Sequence, residues 1–304
     1  MRRPSLLLFV LLLLAGCGGS GEERHAATTD WQFTTPMANR RSYVAASEIA
    51  GKIYVAGGMF GEAGTRLDRV QVFDPREAVW TTLPSLPEPV RAAAGVSRGD
   101  EFWVIGGTTP SGGGRQVFVY DTRTRRWHNG PLLPRILYNH SAVEVGGLIY
   151  VLGGYDTQGA ELRTVYILED GRWRPTTHLP RPVHAFGAVV FRGEIWVIGG
   201  RRGERQLHEV WIFDPKTERW RAGPSLPRPM ELLGATVVGD EIHAVHERTY
   251  QIYDAGEQRW RQGPSPLVPR HALSLFHVGD AIYAVGGCTV KLRDSAVVEQ
   301  RKVS

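Results

Sequence analysis

Six positions in this chain carry side chains able to do chemistry at a near-constant spacing. They are Ser42, Arg91, Tyr138, His184, Glu231 and His271, separated by 49, 47, 46, 47 and 40 residues. Five of the six are large polar or titratable groups, and their flanks are mainly Ala, Leu and Gly. A carboxyl and an imidazole shuttle protons near neutral pH when a pocket tunes them, so Glu231 and His184 are candidate catalytic acid–base residues. A guanidinium grips a carboxylate or phosphate at two points, which gives Arg91 a binding role. Further arginines cluster in the same segments. Arg40, Arg41, Arg135, Arg181, Arg228 and Arg270 precede short apolar stretches; Arg66, Arg115, Arg201, Arg202, Arg248 and Lys291 follow glycine pairs or their equivalents. The candidate ligand-binding set is therefore Arg91, Tyr138, His184, Glu231, His271, Arg41 and Arg202. The competing reading is a solvated rim, or arginines bonded to loop carbonyls. The recurrence of several Pro-Arg pairs at one position favours a structural job for those.

The elements that position this column repeat with it. Apolar runs end on Gly57-Gly58, Gly106-Gly107, Gly153-Gly154, Gly199-Gly200 and Gly286-Gly287, with His246-Glu247 in the fifth copy. A fixed period of this size signals an array of small supersecondary units. A second pattern keeps step: Phe73-Asp74-Pro75 to Trp80, Tyr120-Asp121-Thr122 to Trp127, Phe213-Asp214-Pro215 to Trp220, and Tyr253-Asp254 to Trp260. The third copy, Leu168 to Trp173, is shorter and turns on Glu169-Asp170-Gly171. Asp, Pro and Gly are turn formers, so each copy reads as strand, tight turn, strand. Small residues mark the innermost strand at Ala92–Val96, Phe186–Val190 and Leu233–Val237. Glycine at the end of the second strand permits a bulge or a close backbone approach.

A Gly-Gly strand coupled to a Tyr/Phe-Asp and a Trp resembles the kelch repeat, over about residues 30 to 300. The resemblance implies an all-β, six-bladed β-propeller. The last blade reaches a third strand at Ala296-Val297-Val298 with no Trp after it, while Trp31-Gln32-Phe33-Thr34 stands unassigned before the first. The N-terminal strand is therefore expected to complete the last blade and close the ring, which leaves no open seam. Trp31, Trp80, Trp127, Trp173, Trp220 and Trp260 then give one ring per blade. The content of 36 Gly, 19 Pro and 42% hydrophobic residues suits a turn-rich chain with a full core.

The N-terminus carries Arg2-Arg3 and then the apolar run Leu6–Leu14, a positive n-region with an h-region short for a membrane span. It ends Leu14-Ala15-Gly16-Cys17, which resembles the lipobox of bacterial lipoproteins. That resemblance implies a signal peptide over 1–16, lipidation of Cys17, a flexible tether over 17–29, and the propeller over 30–304. It also implies attachment to a membrane through the lipid in the bacterial cell envelope, at the outer membrane where the host has one. With Cys17 acylated, Cys288 has no disulfide partner, and it reads as a small residue in a blade.

The formal net charge is +5, of which Arg2 and Arg3 supply two, so any basic character lies in placement. Nucleic acid is a poor partner. No metal-ligand spacing, phosphate-cradling loop or nucleophile elbow is present, and no cofactor or metal is expected; Gly112-Gly113-Gly114 is a loop tip with no helix after it. Three classes follow from the kelch resemblance. The first is a monomeric binding module for a protein, an acidic peptide or an anionic glycan. The second is a sugar mutarotase or epimerase similar to the sialic-acid class, with Glu231 or His184 as acid or base and Arg91 on the substrate carboxylate. The third is a copper oxidase similar to galactose oxidase, for which Tyr138, His140, His184 and His271 are present; those oxidases use seven blades, and Cys288 lacks a recognisable Tyr partner. In the fifth copy only Arg248-Thr249 separates His246-Glu247 from Tyr250, which predicts a tight hairpin and a notched face.

Overall fold

The computed structural model describes residues 30–289 and 293–303. The leader over 1–16, Cys17 and the tether to residue 29 lie outside the described residues, as does Lys291. Six four-stranded antiparallel sheets form the ring. Blade one is Ala45–Ile49, Lys52–Ala56, Val70–Asp74 and Val79–Leu83. Blades two to five repeat that order from inner to outer strand, beginning at Ala94–Arg98, Ser141–Val145, Gly187–Phe191 and Gly234–Val238. Blade six takes Ser274–Val278, Ala281–Val285 and Val298–Lys302 from the C-terminal end. Its outer strand is Gln32–Phe33, paired in the register Gln32 to Gln300 and Phe33 to Glu299. The expected closure by the N-terminal strand is thus the observed one.

Two strand boundaries differ from expectation. The inner strands begin one or two residues later, because Ala92, Ala185 and Leu232 sit at φ 56°, 55° and 46° instead of extending. These residues and their equivalents Tyr43, Asn139 and Ala272 form a chain of backbone bonds around the axis. Ala272 N–H donates to Leu232 O, Leu232 to Ala185, Ala185 to Asn139, Asn139 to Ala92 and Ala92 to Tyr43, at 2.6–3.0 Å. The third strand of blade six runs Val298–Lys302 and not Ala296–Val298. Ala296 and Val297 instead turn their carbonyls to Met37 and Gly286 N–H.

Neighbouring blades are tied at two further radii. In the first four glycine pairs the second glycine reaches the loop entering the next blade: Gly58 N–H donates to Val90 O, Gly107 to Leu137 O, Gly154 to Val183 O and Gly200 to Met230 O, each 2.8–2.9 Å. At the periphery each outer-strand indole donates to the preceding blade. Trp80 bonds Thr35 O, Trp127 Pro84 O, Trp173 Pro131 O, Trp260 Pro224 O and Trp31 Pro264 O, at 2.8–3.0 Å. Trp220 alone of the six keeps a buried Nε1 without a partner; the loop it faces reads Thr176-Thr177-His178 where most of the others offer a Pro carbonyl. Between these radii the cores are aromatic and aliphatic. Phe73 stacks on Trp80 at 5.0 Å and meets Tyr283 of blade six edge-on at 5.9 Å, and Tyr150 meets Phe213 of blade four at 6.0 Å. Blade five makes the tight hairpin, Glu241–His246 to Thr249–Asp254, with Glu247 at φ 52°.

The glycine pairs show why a side chain is excluded. Gly153 has φ 57°, and a Cβ there would lie 2.6 Å from Val183 O. Gly51, in a hairpin turn at φ 79°, would meet nothing within 4 Å. Gly153→Ala is expected to cost about 2–4 kcal/mol, because strain and a backbone clash add, whereas Gly51→Ala costs about 1 kcal/mol from strain alone. Urea unfolding of the two variants checks the difference.

Candidate functional site

The column runs around the mouth of the central channel, on the face built by the inner-strand entry loops and the loops after Gly-Gly. Each member but one pairs its backbone with the residue after the glycines. Ser42 bridges Met59, Arg91 bridges Thr108, Tyr138 bridges Tyr155, His184 bridges Arg201, and His271 pairs with Cys288. Glu231 joins through its side chain. Its carboxylate lies 3.3 and 3.4 Å from Arg201 Nη1 and accepts from Gln206 Nε2 at 3.2 Å.

Arg91 and Tyr138 line one cavity of about 490 Å3, together with Tyr43, Met59, Arg66, Thr108, Asn139 and Ile136. Arg66 comes from the ribbon Met59–Phe60/Thr65–Arg66 that follows the first glycine pair. Its Nε donates to Thr108 O at 3.1 Å and Thr108 Oγ1 at 3.3 Å, and Arg91 Nε reaches the same Oγ1 at 3.4 Å. Arg91 Nη1 rests against Met59 Sδ at 3.4 Å and over Gly64, where a Cβ would lie 2.5 Å from it. Among the described residues neither guanidinium has a carboxylate within ion-pair distance, and no Asp or Glu lines the cavity. Other arginines of this face are neutralised: Arg135 by Asp156 at 2.7 Å, Arg201 by Glu231, and Arg202 by Glu209 at 3.7 Å. Arg202 thus lies on the expected face but against an acid.

His184 stands on the far side of Tyr155. The rings of Tyr138 and Tyr155 are 5.5 Å apart, and those of Tyr155 and His184 are 4.0 Å apart. Glu161 Oε1 lies 3.3 Å from His184 Nδ1, yet that nitrogen makes no hydrogen bond. Burial lowers the imidazole pKa more than the Glu161 charge raises it, so the ring is neutral and the contact is not an ion pair. His271 is half-buried, 3.8 Å from Glu247 and 6.4 Å ring to ring from His246. Cys288 is buried, with its thiol pushed up by burial and then by Asp294, which suits a packed residue and not a nucleophile. His140 lies between blades, its pKa pushed down to about 4 by burial, with neither ring nitrogen bonded. Among the described residues no three His, Cys, Asp or Glu side chains converge on a metal position.

Arg41 departs from expectation. It is fully buried, 0% exposed, and donates to Arg69 O at 2.8 Å and Gln71 Oε1 at 2.8 Å. Burial, and then the Arg69 charge, lowers its pKa to about 10. It fastens the entry loop to the third strand of blade one and cannot touch a ligand. Arg270 does the same in blade six, reaching Val297 O at 2.8 Å and Glu299 at 2.5 Å with both partners fully buried. The equivalent slots elsewhere hold Val90, Leu137, Val183 and Met230. Tyr43, Arg66 and Thr108 enter the site without having been singled out. Tyr43 was visible as the one large ring in the column beside Ser42, where the others are Ala92, Asn139, Ala185, Leu232 and Ala272. Its phenol pKa is raised by burial first, then by Cys288 and Glu231, while Arg91 pulls it down, which places the hydroxyl among groups of three other blades.

The sequence matches the family described as the KLHDC2/KLHL20/DRC7 Kelch-repeats domain over residues 44–245 and 92–287. The chain belongs to the kelch-repeat family. It is 32% identical over 141 residues to Kelch-like protein 35 of Mus musculus, covering 46% of this chain and 24% of that one. It is 29% identical over 138 residues to Kelch-like protein 36 of Bos taurus, covering 44% and 22%. It is 28% identical over 134 residues to Alpha-scruin of Limulus polyphemus, covering 42% and 14%. These matches span less than a quarter of the relatives' own lengths, so the likeness covers only part of each of those proteins.

The buried pair of this kelch ring offers a direct test of Arg270. Blade five solves the same slot without charge: Gln251 accepts from Arg228 N–H at 3.1 Å and lies against Met230 Sδ. In blade six Glu299 accepts from Val268 N–H at 3.1 Å at the matching position. Arg270→Met alone strands a buried carboxylate and is expected to cost about 3–5 kcal/mol. The double variant Arg270→Met/Glu299→Gln copies blade five and should recover most of that loss in equilibrium unfolding.

Proposed function

We propose that this kelch propeller is an envelope-anchored binding module whose Gly-Gly face engages an anionic group of a glycan or an acidic peptide at the cavity between Arg66 and Arg91. The observation that carries the reading is the pair of guanidiniums on one threonine with no carboxylate beside them. Two like charges held together repel, and an arriving anion relieves that cost. Kelch-repeat proteins typically act as protein-interaction modules, which supports binding as the task. The mutarotase reading is less well supported. Glu231 and His184, its acid and base, do not line the cavity that Arg91 lines, and the Glu231 oxygens are engaged by Arg201 and Gln206.

A thermal-shift series with sialic acid, neutral sugars and acidic peptides tests the reading. A ligand at about 100 times its Kd stabilises the folded state by about 2.7 kcal/mol, which is readily seen as a raised Tm. The shift is expected with acidic ligands only, weakened by salt, and lost in Arg66→Ala and Arg91→Ala. A flat Tm across the panel at low salt would remove the anion-binding reading.

The lipobox-like Leu14–Cys17 supports the anchoring part of the proposal. Growth of a bacterial host with a labelled fatty acid is expected to label the protein, and Cys17→Ala should abolish the label. Labelling that survives Cys17→Ala would overturn the anchor.

A further inference from the structure

We infer that the Arg66–Thr108–Arg91 arrangement is a recognition site for a phosphate monoester. The inference rests on the proposed binding role of this face and narrows its ligand. The two guanidiniums are fixed through their Nε atoms on one hydroxyl, 3.3 and 3.4 Å from Thr108 Oγ1. That leaves the terminal nitrogens of Arg66 and Nη2 of Arg91 to turn to a ligand, with Arg91 Nη1 held only by the weak acceptor Met59 Sδ. The roots of both arginines are set by backbone. Arg91 exchanges two bonds with Thr108, at 3.2 and 2.8 Å, and Arg66 pairs with Met59 across the ribbon. Little side-chain entropy is then lost when an oxyanion docks.

Charge decides the class. Among the described residues, the charged ones lining the cavity are these two arginines, a local charge of +2. A carboxylate or a sulfate monoester brings one negative charge and leaves one cation uncompensated. A phosphate monoester brings close to two above its second pKa of about 6, with three acceptor oxygens for two forks. Asn139 and the phenols of Tyr43 and Tyr138 also line the cavity, and Met59 and Ile136 add an apolar wall for the carbon side of the ester. Phosphate esters occur on sugars and on side chains of proteins; the site reads the chemistry they share.

Calorimetric titration of the purified protein with phenyl phosphate, phenyl sulfate and benzoate separates charge from shape. At pH 7.5, roughly a unit and a half above that second pKa, phenyl phosphate is expected to bind at least about tenfold tighter than the two monoanions. Its affinity should fall as pH drops through about 6, while that of phenyl sulfate stays level. Thr108→Val keeps the net charge and the backbone pairing but removes the hydroxyl that the two guanidiniums share, leaving Arg66 its bond to Thr108 O, and should weaken phenyl phosphate about tenfold or more. A phosphosugar and a phosphopeptide, titrated next, distinguish the two sources. If phenyl phosphate binds no tighter than the monoanions, or its affinity ignores pH, the phosphate inference fails while Arg91-dependent binding of acidic ligands stands. If no anion binds and Arg91→Ala changes nothing, both fail together.

Discussion

The closeness of one blade to the next at the channel mouth is the constraint on which the rest of this propeller depends. The second glycine of the first four pairs gives its N–H to a carbonyl of the following entry loop, and in all five pairs its φ, between 89° and 101°, belongs to glycine. A Cβ at Gly107 would lie 2.7 Å from Arg91 O, and one at Gly154 2.7 Å from Tyr138 O. The residues thus crowded are the column itself. The approach that forbids a side chain on the glycine pins the backbone of the site residue in its own blade, while the glycine N–H ties that blade to the next. Rigidity of the site and rigidity of the ring therefore have one source, and loops that look long in the sequence are tied at nearly every other residue.

Electrostatics then sorts the arginines of this face into three kinds. Arg41 and Arg270 are interior fasteners, Arg135, Arg201 and Arg202 are balanced by acids, and Arg66 and Arg91 share a hydroxyl without an acid. Guanidinium chemistry is the same in all three, so the surroundings alone assign the role. An interior guanidinium must be bonded on most of its edge because desolvation is costly, and both fasteners meet that need with carbonyls and a third-strand side chain. Each does retain one buried Nε without a partner.

The ring, its closure and the phase of the column were legible in the sequence because the glycine and tryptophan spacings report them directly. Boundaries were less so. Ala92, Phe186 and Leu233 read as strand residues by composition, yet the strands begin later, after the axial hydrogen-bond chain that holds Ala92, Ala185 and Leu232 at positive φ, and nothing in an apolar side chain announces that. Arg41 was grouped with the ligand contacts because it stands among the arginines of the entry loops; the buried apolar residues in its slot in four blades and its partner Gln71 on another strand mark it as interior. The polar residues Gln71, Gln251 and Glu299 occupy one third-strand position where the other blades have Phe118, Tyr166 and Trp211, so the signal existed as a covariation between blades and not at any single site. Arg66 and Thr108 could not be ranked above their neighbours from sequence, since what distinguishes them is a shared hydrogen bond.

The seam between blades six and one shows the same logic under a different condition. Elsewhere backbone groups do the stitching. Here, among the described residues, Tyr43 N–H does not reach Ala272 O, and Gly287 N–H makes no link to the next entry loop. Side chains stand in. Ser42 Oγ donates to Asp294 at 2.5 Å, and Asp294 also accepts from Gly61 N–H at 2.7 Å; within blade six, Arg301 Nε donates to both oxygens of Asp30 at 2.9 Å where the two ends of the chain meet. Arg41 and Arg270, the two interior fasteners, lie in the blades flanking this seam. Arg270 holds the C-terminal strand of blade six through Val297 and Glu299, and Arg41 holds the third strand of the neighbouring blade one through Arg69 and Gln71. Burying charge is costly where a Val would serve. It is used in this ring in blade six, where the N- and C-terminal strands meet without a chain connection, and in blade one beside it.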